Sequence, residues 1–348
     1  MQDIASGVYT EAGRLPSETA LSASFGVSRM TLRVALDNLR RQGLIEKRNG
    51  AGSFLTKRAF RSSRLIGLVI PDYEDFNFFA EIRRVVERHA TLVGYRIFLV
   101  STHEHRRESI MGDVKQKVRE LVAKRAEGVI FRPFVAERLS AANREVVRIL
   151  NDAEIPVILI DSDIVRSPKR SNYDLVAINN IGAGRQIADH LRERGYRRIA
   201  FMMEDKDPFT NANWGNRLFG LAGELALLGF DENVRRLEFS PINVRALGAL
   251  MRSGKRPDAI VCGNDERAAI LVDTLGRLGK RIPEDVAVVG FDDIAIARTT
   301  TPPLTTISQP IKKLAATAFK SLLARIRYPN NDPREILLNA PLVVRQST

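Results

Sequence analysis

The sequence has one cysteine, Cys262, so no disulfide can form within the chain. So sparing a use of cysteine fits a reducing compartment, and the expected location is the cytoplasm, although a cysteine-poor periplasmic protein has the same signature. It has no run of 18 apolar residues, so no membrane-spanning helix is expected. Residues 1–10 lack the basic start and apolar core of a secretory signal. No phosphate-binding G-x-x-x-x-G-K-[ST] and no nucleophile-bearing G-x-S-x-G occur. The four histidines and Cys262 show no metal-ligand spacing. Gly182–Ala183–Gly184 follows a strand-like run, but Ile187 stands where a dinucleotide fingerprint needs Gly or Ala, so helix–strand packing is the better reading. Enzymatic chemistry, a cofactor and a metal are therefore not expected. Low-complexity tracts and short repeats are missing too, and 44% hydrophobic against 27% charged residues excludes global disorder.

Negative charge is in short supply. The 348 residues carry 54 Lys/Arg and 41 Asp/Glu, a net +13. Residues 1–63 hold ten of the cations and only five of the anions, so they are the most densely positive part. Excess positive charge favours polyanionic partners, nucleic acid above all.

This basic segment reads as two short helices, Glu18–Phe25 and Ser28–Gln42, joined at Gly26. Ser28 is a suitable cap for the second helix. Leu32, Ala35, Leu36 and Leu39 follow the spacing of a buried stripe. Arg29, Arg33 and Arg40 fall on another stripe, within about 40° at 100° per residue. Two helices joined by a glycine turn, the second with a basic face, make a helix-turn-helix, whose early second-helix residues reach base edges. Ser28, Arg29, Thr31 and Arg33 are the candidates. Gly43 reads as the helix stop, and Leu44–Lys47 and Ser53–Thr56 as a two-stranded wing around Asn49–Gly50–Ala51–Gly52.

Beyond the basic stretch Lys57–Arg64, read as a linker, short apolar runs alternate with amphipathic stretches of about 12–18 residues. The runs start at Leu65, Tyr95, Gly128, Pro156, Leu175, Arg198, Asp258 and Val286. Strand and helix in rotation predict parallel sheets covered on both faces, and so many units predict two α/β lobes. Ligands sit outside the carboxyl ends of such strands. The residues that follow the runs are Asp72 with Phe76–Phe79, Arg132, Asp161 and Asp163, Asn179–Asn180, Asp205–Arg217, Asn264–Asp265 and Asp292–Asp293, among them the rings Phe76, Phe78 and Trp214. Carboxylates, amides and guanidinium groups with nearby rings suit a neutral polyhydroxylated ligand. Polar residues after strands are also common as turns and caps, so this assignment needs the lobes to face each other.

R-L-P-S-E at Arg14–Glu18, F-G-V-S-R-M-T-L-R at Phe25–Arg33 and G-L-I-E-K-R-N-G-A-G-S-F at Gly43–Phe54 resemble the winged helix-turn-helix of the GntR family of bacterial regulators. The resemblance implies DNA contacts by Arg14, Arg29, Thr31 and Arg33, with Asn49 and Gly50 at the wing. It also implies a shortened first helix, and Thr19 departs from the base that the family often has there. I-G-L-V-I-P-D at Ile66–Asp72, I-P-V-I-L-I-D at Ile155–Asp161, G-N-D-E-R-A-A at Gly263–Ala269 and I-P-E-D-V-A-V-V-G-F-D-D at Ile282–Asp293 resemble the effector-binding core of the LacI family, with the two-lobed fold of periplasmic sugar-binding proteins. That resemblance implies effector contacts from Arg217, Asn264, Asp265 and Asp292 on one lobe. On the other it implies Asp161, Arg132 and the Asp72–Phe79 loop. Asn179–Asn180 stands where an Asp-Asn pair is usual. The LacI-type hinge helix is missing from 57–64, which implies rigid-body reorientation of the lobes across a dimer.

The expected organisation is a winged helix-turn-helix over 1–56, a linker over 57–64 and a two-lobed effector domain over 65–348. Lobe 1 would span 65–176 and 304–329, and lobe 2 would span 177–303 and 330–348. The expected function is a homodimeric, sugar-responsive repressor of operator DNA. Competing readings are a transport-type sugar-binding protein with no DNA role and an enzyme built on the α/β body.

Overall fold

The computed structural model describes residues 13–41, 44–48, 51–56, 63–71, 77–102, 110–134, 140–165, 169–203, 212–229, 234–238 and 243–348. The expectations for Gly43, Asn49, Gly50, Asp72 and Phe76 lie outside the described residues, as do linker positions 57–62.

The head holds α1 (Glu18–Phe25), α2 (Arg29–Arg41) and an antiparallel wing of β1 (Ile45–Arg48) and β2 (Gly52–Leu55). Gly26 turns the chain between the helices in a left-handed conformation at φ 63°, which glycine adopts at little cost. Leu15, Leu21, Leu32, Leu36, Leu44, Ile45 and Leu55 bury one small core. Ala35 is exposed rather than buried, because the core closes on Leu32 and Leu36 on one side of the helix.

The first sheet of the body has the order β13-β7-β6-β5-β3-β4, every described pairing in it parallel. Its strands are β3 (Leu65–Pro71), β4 (Arg96–Thr102), β5 (Gly128–Phe131), β6 (Val157–Ile160), β7 (Asp174–Ile178) and β13 (Glu335–Leu338). Around it lie α3 (Asn77–Leu92), α4 (Ile110–Ala123), α5 (Ser140–Asp152) and α11 (Ile311–Arg327). Separate apolar clusters cover its two faces, one around Phe131 and Leu159, the other around Ile66, Ile158 and Phe319. Burying each such side chain contributes roughly 1.5–3 kcal/mol, and this explains the unbroken apolar strands.

The second sheet has the order β14-β12-β11-β10-β8-β9. It holds β8 (Ile199–Met203), β9 (Arg235–Glu238), β10 (Ala259–Cys262), β11 (Ala287–Asp292), β12 (Thr305–Ser308) and β14 (Leu342–Val343). Its helices are α6 (Asn180–Glu193), α7 (Ala212–Leu227), α8 (Val244–Arg252), α9 (Asp265–Arg277) and the short α10 (Ile296–Thr299).

The chain crosses between the sheets after β7, after β12 and after β13. These crossings lie several residues beyond those expected near Val176, Pro303 and Asn330. Strand 305–308 therefore belongs to the second sheet and strand 335–338 to the first, the reverse of the expected division. The linker expectation also ran long. Ser63 Oγ donates to the Arg125 carbonyl at 2.6 Å, and the Arg64 N–H donates to Glu127 at 2.9 Å, so both residues are docked on lobe 1.

All three crossings leave the carboxyl edge of one sheet and enter at the carboxyl edge of the other, because the helices they feed run antiparallel to their strands and β14 runs antiparallel to β12. The two carboxyl edges thus face one cleft. In lobe 2, α6 and α7 touch backbone to backbone. A Cβ on Gly184 would lie 2.2 Å from the Arg217 carbonyl oxygen, and one on Gly220 would lie 2.1 Å from that of Ile181. Gly220→Ala is expected to destabilise the chain by about 1–3 kcal/mol in denaturant unfolding, by forcing the two helices apart.

Candidate functional site

In the head, Ser28 caps α2. Its Oγ accepts the Thr31 N–H at 3.1 Å and shares a hydrogen bond with the Thr31 hydroxyl at 2.8 Å. The capping pair fixes the start of the helix, so Ser28 and Thr31 act first on the backbone. Arg29 is exposed at the first turn. Arg33 Nε donates to Glu18 at 2.9 Å, and this bond holds the Glu18 carboxyl below the usual carboxylate range. That bond takes only the Nε hydrogen, and the side chain is 63% exposed, so the other guanidinium donors of Arg33 face solvent. Arg14 pairs with Phe54 as a third, one-residue strand of the wing, and its guanidinium lies over Gly52, where φ is 104°. Arg14, α2 and the wing thereby come together in one small domain.

In the body, Arg132 follows β5 and Asp161 follows β6. Arg132 Nε donates to Asp161 at 3.2 Å, with both residues buried, and the guanidinium lies 5.0 Å from the Phe79 ring centre. Phe79 is therefore the ring beside the site, and Phe78 is in the core of lobe 1, in edge contact with Phe79 at 5.1 Å. Both rings belong to the same buried cluster of lobe 1, and Phe79 is the one that meets Arg132.

Arg217, on α7, is only 4% exposed. Its Nε donates to Asn180 Oδ1 at 2.8 Å and its Nη1 to the Gly263 carbonyl at 2.5 Å, and its plane lies 3.4 Å over the Phe291 ring. Burial pulls its pKa down, and the Asp292, Asp161 and Asp265 carboxylates oppose that pull. Trp214 packs in the lobe 2 core against Gly263, where a Cβ would fall 2.4 Å from the indole. The ring thus supports the end of β10.

Asn264 caps α9, its Oδ1 accepting the Arg267 N–H at 3.0 Å, which leaves its amide nitrogen and a second Oδ1 lone pair for a ligand. Asp265 is fully buried. Its oxygens accept from Thr306 Oγ at 2.6 Å and from the Ile294 N–H at 3.0 Å. It ties the ends of β10, β11 and β12 together and points away from the cleft, against the expectation that it contacts effector. Asp292 ends β11 at φ 115° and accepts from Gln309 Nε2 at 2.6 Å. Asp161 is held at φ 72°. Such conformations are costly for non-glycine residues and mark places where the surrounding structure aims a side chain. Asp293 turns the other way, to Arg345 at 2.6 Å.

Two residues were not anticipated as contacts, Gln309 and Ser162, whereas Asn180 was among the strand-end residues. Ser162 Oγ and Gln309 Oε1 are buried with no hydrogen-bond partner among the described residues. Ser162 directly follows Asp161, and Gln309 sits where β12 crosses into lobe 1, so the strand-end rule could have found both. Among the described residues no cluster of His, Cys, Asp or Glu could hold a metal ion, and no helix is long and apolar enough to cross a membrane.

Burial pushes the Asp265 carboxyl up to about 8, with the Asp292 carboxylate adding to the rise. The folded state then binds a proton that the unfolded state has lost, so this residue's contribution to stability falls as pH rises from about 4 to about 8. Asp265→Asn is expected to gain on wild type over that range, by up to about 1.4 kcal/mol per pH unit, in denaturant unfolding at stepped pH. A constant difference across pH would show that Asp265 is ionised in the fold.

Residues 1–55 match the family described as bacterial regulatory proteins of the gntR family, and residues 188–348 match the periplasmic binding protein-like domain. The arabinose metabolism transcriptional repressor of Geobacillus stearothermophilus is 27% identical over 357 residues, spanning 99% of this chain and 94% of that protein. The transcriptional repressor PurR of Aliivibrio fischeri is 29% identical, over 82% of this chain and 81% of that one. A LacI family transcriptional regulator from Enterococcus faecalis, solved with bound ribose, superposes at a TM-score of 0.66 and 26% identity, covering 82% of this chain and 98% of its own. With a gntR-family reader of DNA at one end and a periplasmic-binding-protein-like body at the other, the chain is a DNA-binding transcriptional regulator.

Proposed function

We propose that the chain is a cytoplasmic, homodimeric repressor whose grip on its operator is changed by a neutral sugar bound between the lobes. The charge balance of the cleft carries this reading. Arg132 and Arg217 supply two buried positive charges, and Asp161 and Asp292 supply two negative ones. Asp265, with its carboxyl near 8, adds little charge at neutral pH. A site already neutral gains nothing from an ionic ligand, while its fixed donors and acceptors match a ring of hydroxyl groups. The arabinose and ribose named with two of the compared proteins support placing pentoses first in a ligand panel.

The head supports the DNA role over a transport role. A two-fold dimer would set two heads on a pseudo-palindromic site, with Arg29 and Arg33 at base edges or phosphates. Closing the cleft on sugar would reorient the lobes, and a coupling of about 1–3 kcal/mol is enough for a switch.

Fluorescence anisotropy on DNA from upstream of its own gene, with and without each sugar, tests this. Selective, salt-sensitive binding that one neutral sugar shifts is the expected result. Arg29→Ala with Arg33→Ala should weaken operator binding at least tenfold and leave sugar binding unchanged. Unaltered DNA binding would favour the transport reading. Burial raises the Asp292 carboxyl to about 6, with Arg217 and Gln309 restraining the rise. Because the ionised form accepts from sugar hydroxyls, sugar affinity should fall as pH drops through about 6. Asp292→Asn should bind weakly at every pH and lose that dependence, as read by calorimetric titration.

A further inference from the structure

The head enters the body at β3, on the amino edge of the first sheet, while both carboxyl edges face the cleft. The amino edge of the second sheet is therefore the opposite pole of the body. Three connections reach it from helix to strand: 193–198 (ERGYRR), 252–258 (RSGKRPD) and 277–286 (RLGKRIPEDV). They lead into β8, β10 and β11, which are adjacent in the sheet, so the three loops lie side by side. Together they hold nine Lys/Arg and four Asp/Glu. The corresponding connections of lobe 1, at 92–95, 123–127 and 152–156, hold two and three. A fourth lobe 2 connection, at 227–234 beside the edge strand β9, contains Asp231 and Glu232 and is followed by Arg235 and Arg236.

Cations near helix C-termini normally offset the negative end of the helix dipole. Three helices present about 1.5 charges of that sign, well short of the excess of five. Among the described residues Arg198 meets Asp258 at 3.8 Å, Arg277 meets Asp273 at 2.9 Å and Arg281 meets Asp285 at 3.6 Å, all at partly or fully exposed positions where such pairs are weak. Arg194, Arg252 and Lys255 are exposed. Three adjacent strands span about 10 Å at about 4.8 Å per step. A DNA duplex presents about six phosphate charges over that length of its axis.

We infer that the pole of lobe 2 opposite the head is a second, sequence-independent DNA-binding surface, which holds the phosphates of another duplex segment while the heads occupy the operator. A regulator held on DNA meets neighbouring segments at high effective concentration, so even a weak surface is engaged there. This inference does not depend on the identity of the effector.

The test uses the full chain with Arg29→Ala and Arg33→Ala, so that the heads are silent. Binding to a duplex of unrelated sequence is followed by anisotropy across a salt series, with and without the added changes Arg194→Gln, Arg252→Gln, Lys255→Gln and Lys280→Gln. The added changes are expected to lower the slope of log affinity against log salt by about 3–4, near 0.9 for each phosphate that is no longer neutralised. In a second arm, a chain with intact heads on immobilised operator should capture a free labelled duplex, and the fourfold variant should not. Equal thermal unfolding midpoints show that the variants are folded. An unchanged salt slope together with unchanged capture would overturn the inference. So would a fourfold variant that loses binding to polyglutamate or to anionic lipid vesicles while keeping DNA, since the surface would then serve a protein or a membrane.

Discussion

A guanidinium group with 4% exposure constrains the whole of lobe 2. Desolvating a charge is expensive unless its hydrogens and its field are answered on all sides. Arg217 is answered by Asn180 at the start of α6, by the Gly263 carbonyl at the end of β10 and by the face of Phe291 in β11. Those partners stand within reach only because Gly184 and Gly220 let α6 and α7 approach to backbone contact. Asp265 performs a parallel task one layer deeper, binding the ends of three strands into one rim. The cleft is thus a surface whose charges are balanced before any ligand arrives. That arrangement favours selecting ligands by the placement of hydroxyl groups over selecting them by charge.

The head works on a different principle. Its basic stripe is exposed, and its ties, Arg33 to Glu18 and Arg40 to Asp37, are exposed ion pairs of small worth. Giving them up for a phosphate or a guanine edge costs little. The sensor keeps its arginine fixed and the reader keeps its arginine exchangeable, and the difference follows from burial alone.

Much of this was legible in the chain. The eight apolar runs of the body all became strands within one or two residues at their starts, because a strand covered on both faces carries an uninterrupted apolar signature. The helix-turn-helix was legible from Gly26, Ser28 and the leucine spacing. The crossings were not. Strand 305–308 is mostly threonine and serine, strand 335–338 has only one buried residue, and neither carries the signature of a central strand. At the site, residue type was legible but direction was not. Asp265 and Asp292 both follow strands, yet one points into the lobe and the other to the cleft, and only packing decides which.

Lobe 1 is also discontinuous in the chain, since α11 and β13 come near its end, at 311–327 and 335–338, while the described head is built from one stretch with its own leucine core. During synthesis the head can fold as soon as it leaves the ribosome, whereas the first sheet must wait for residues 311–338 before its edge strand and covering helix arrive. The nascent polypeptide therefore acquires its reader of DNA well before its cleft. Each new molecule passes through an interval in which the protein has the parts to find a gene but not yet the parts to hear a metabolite.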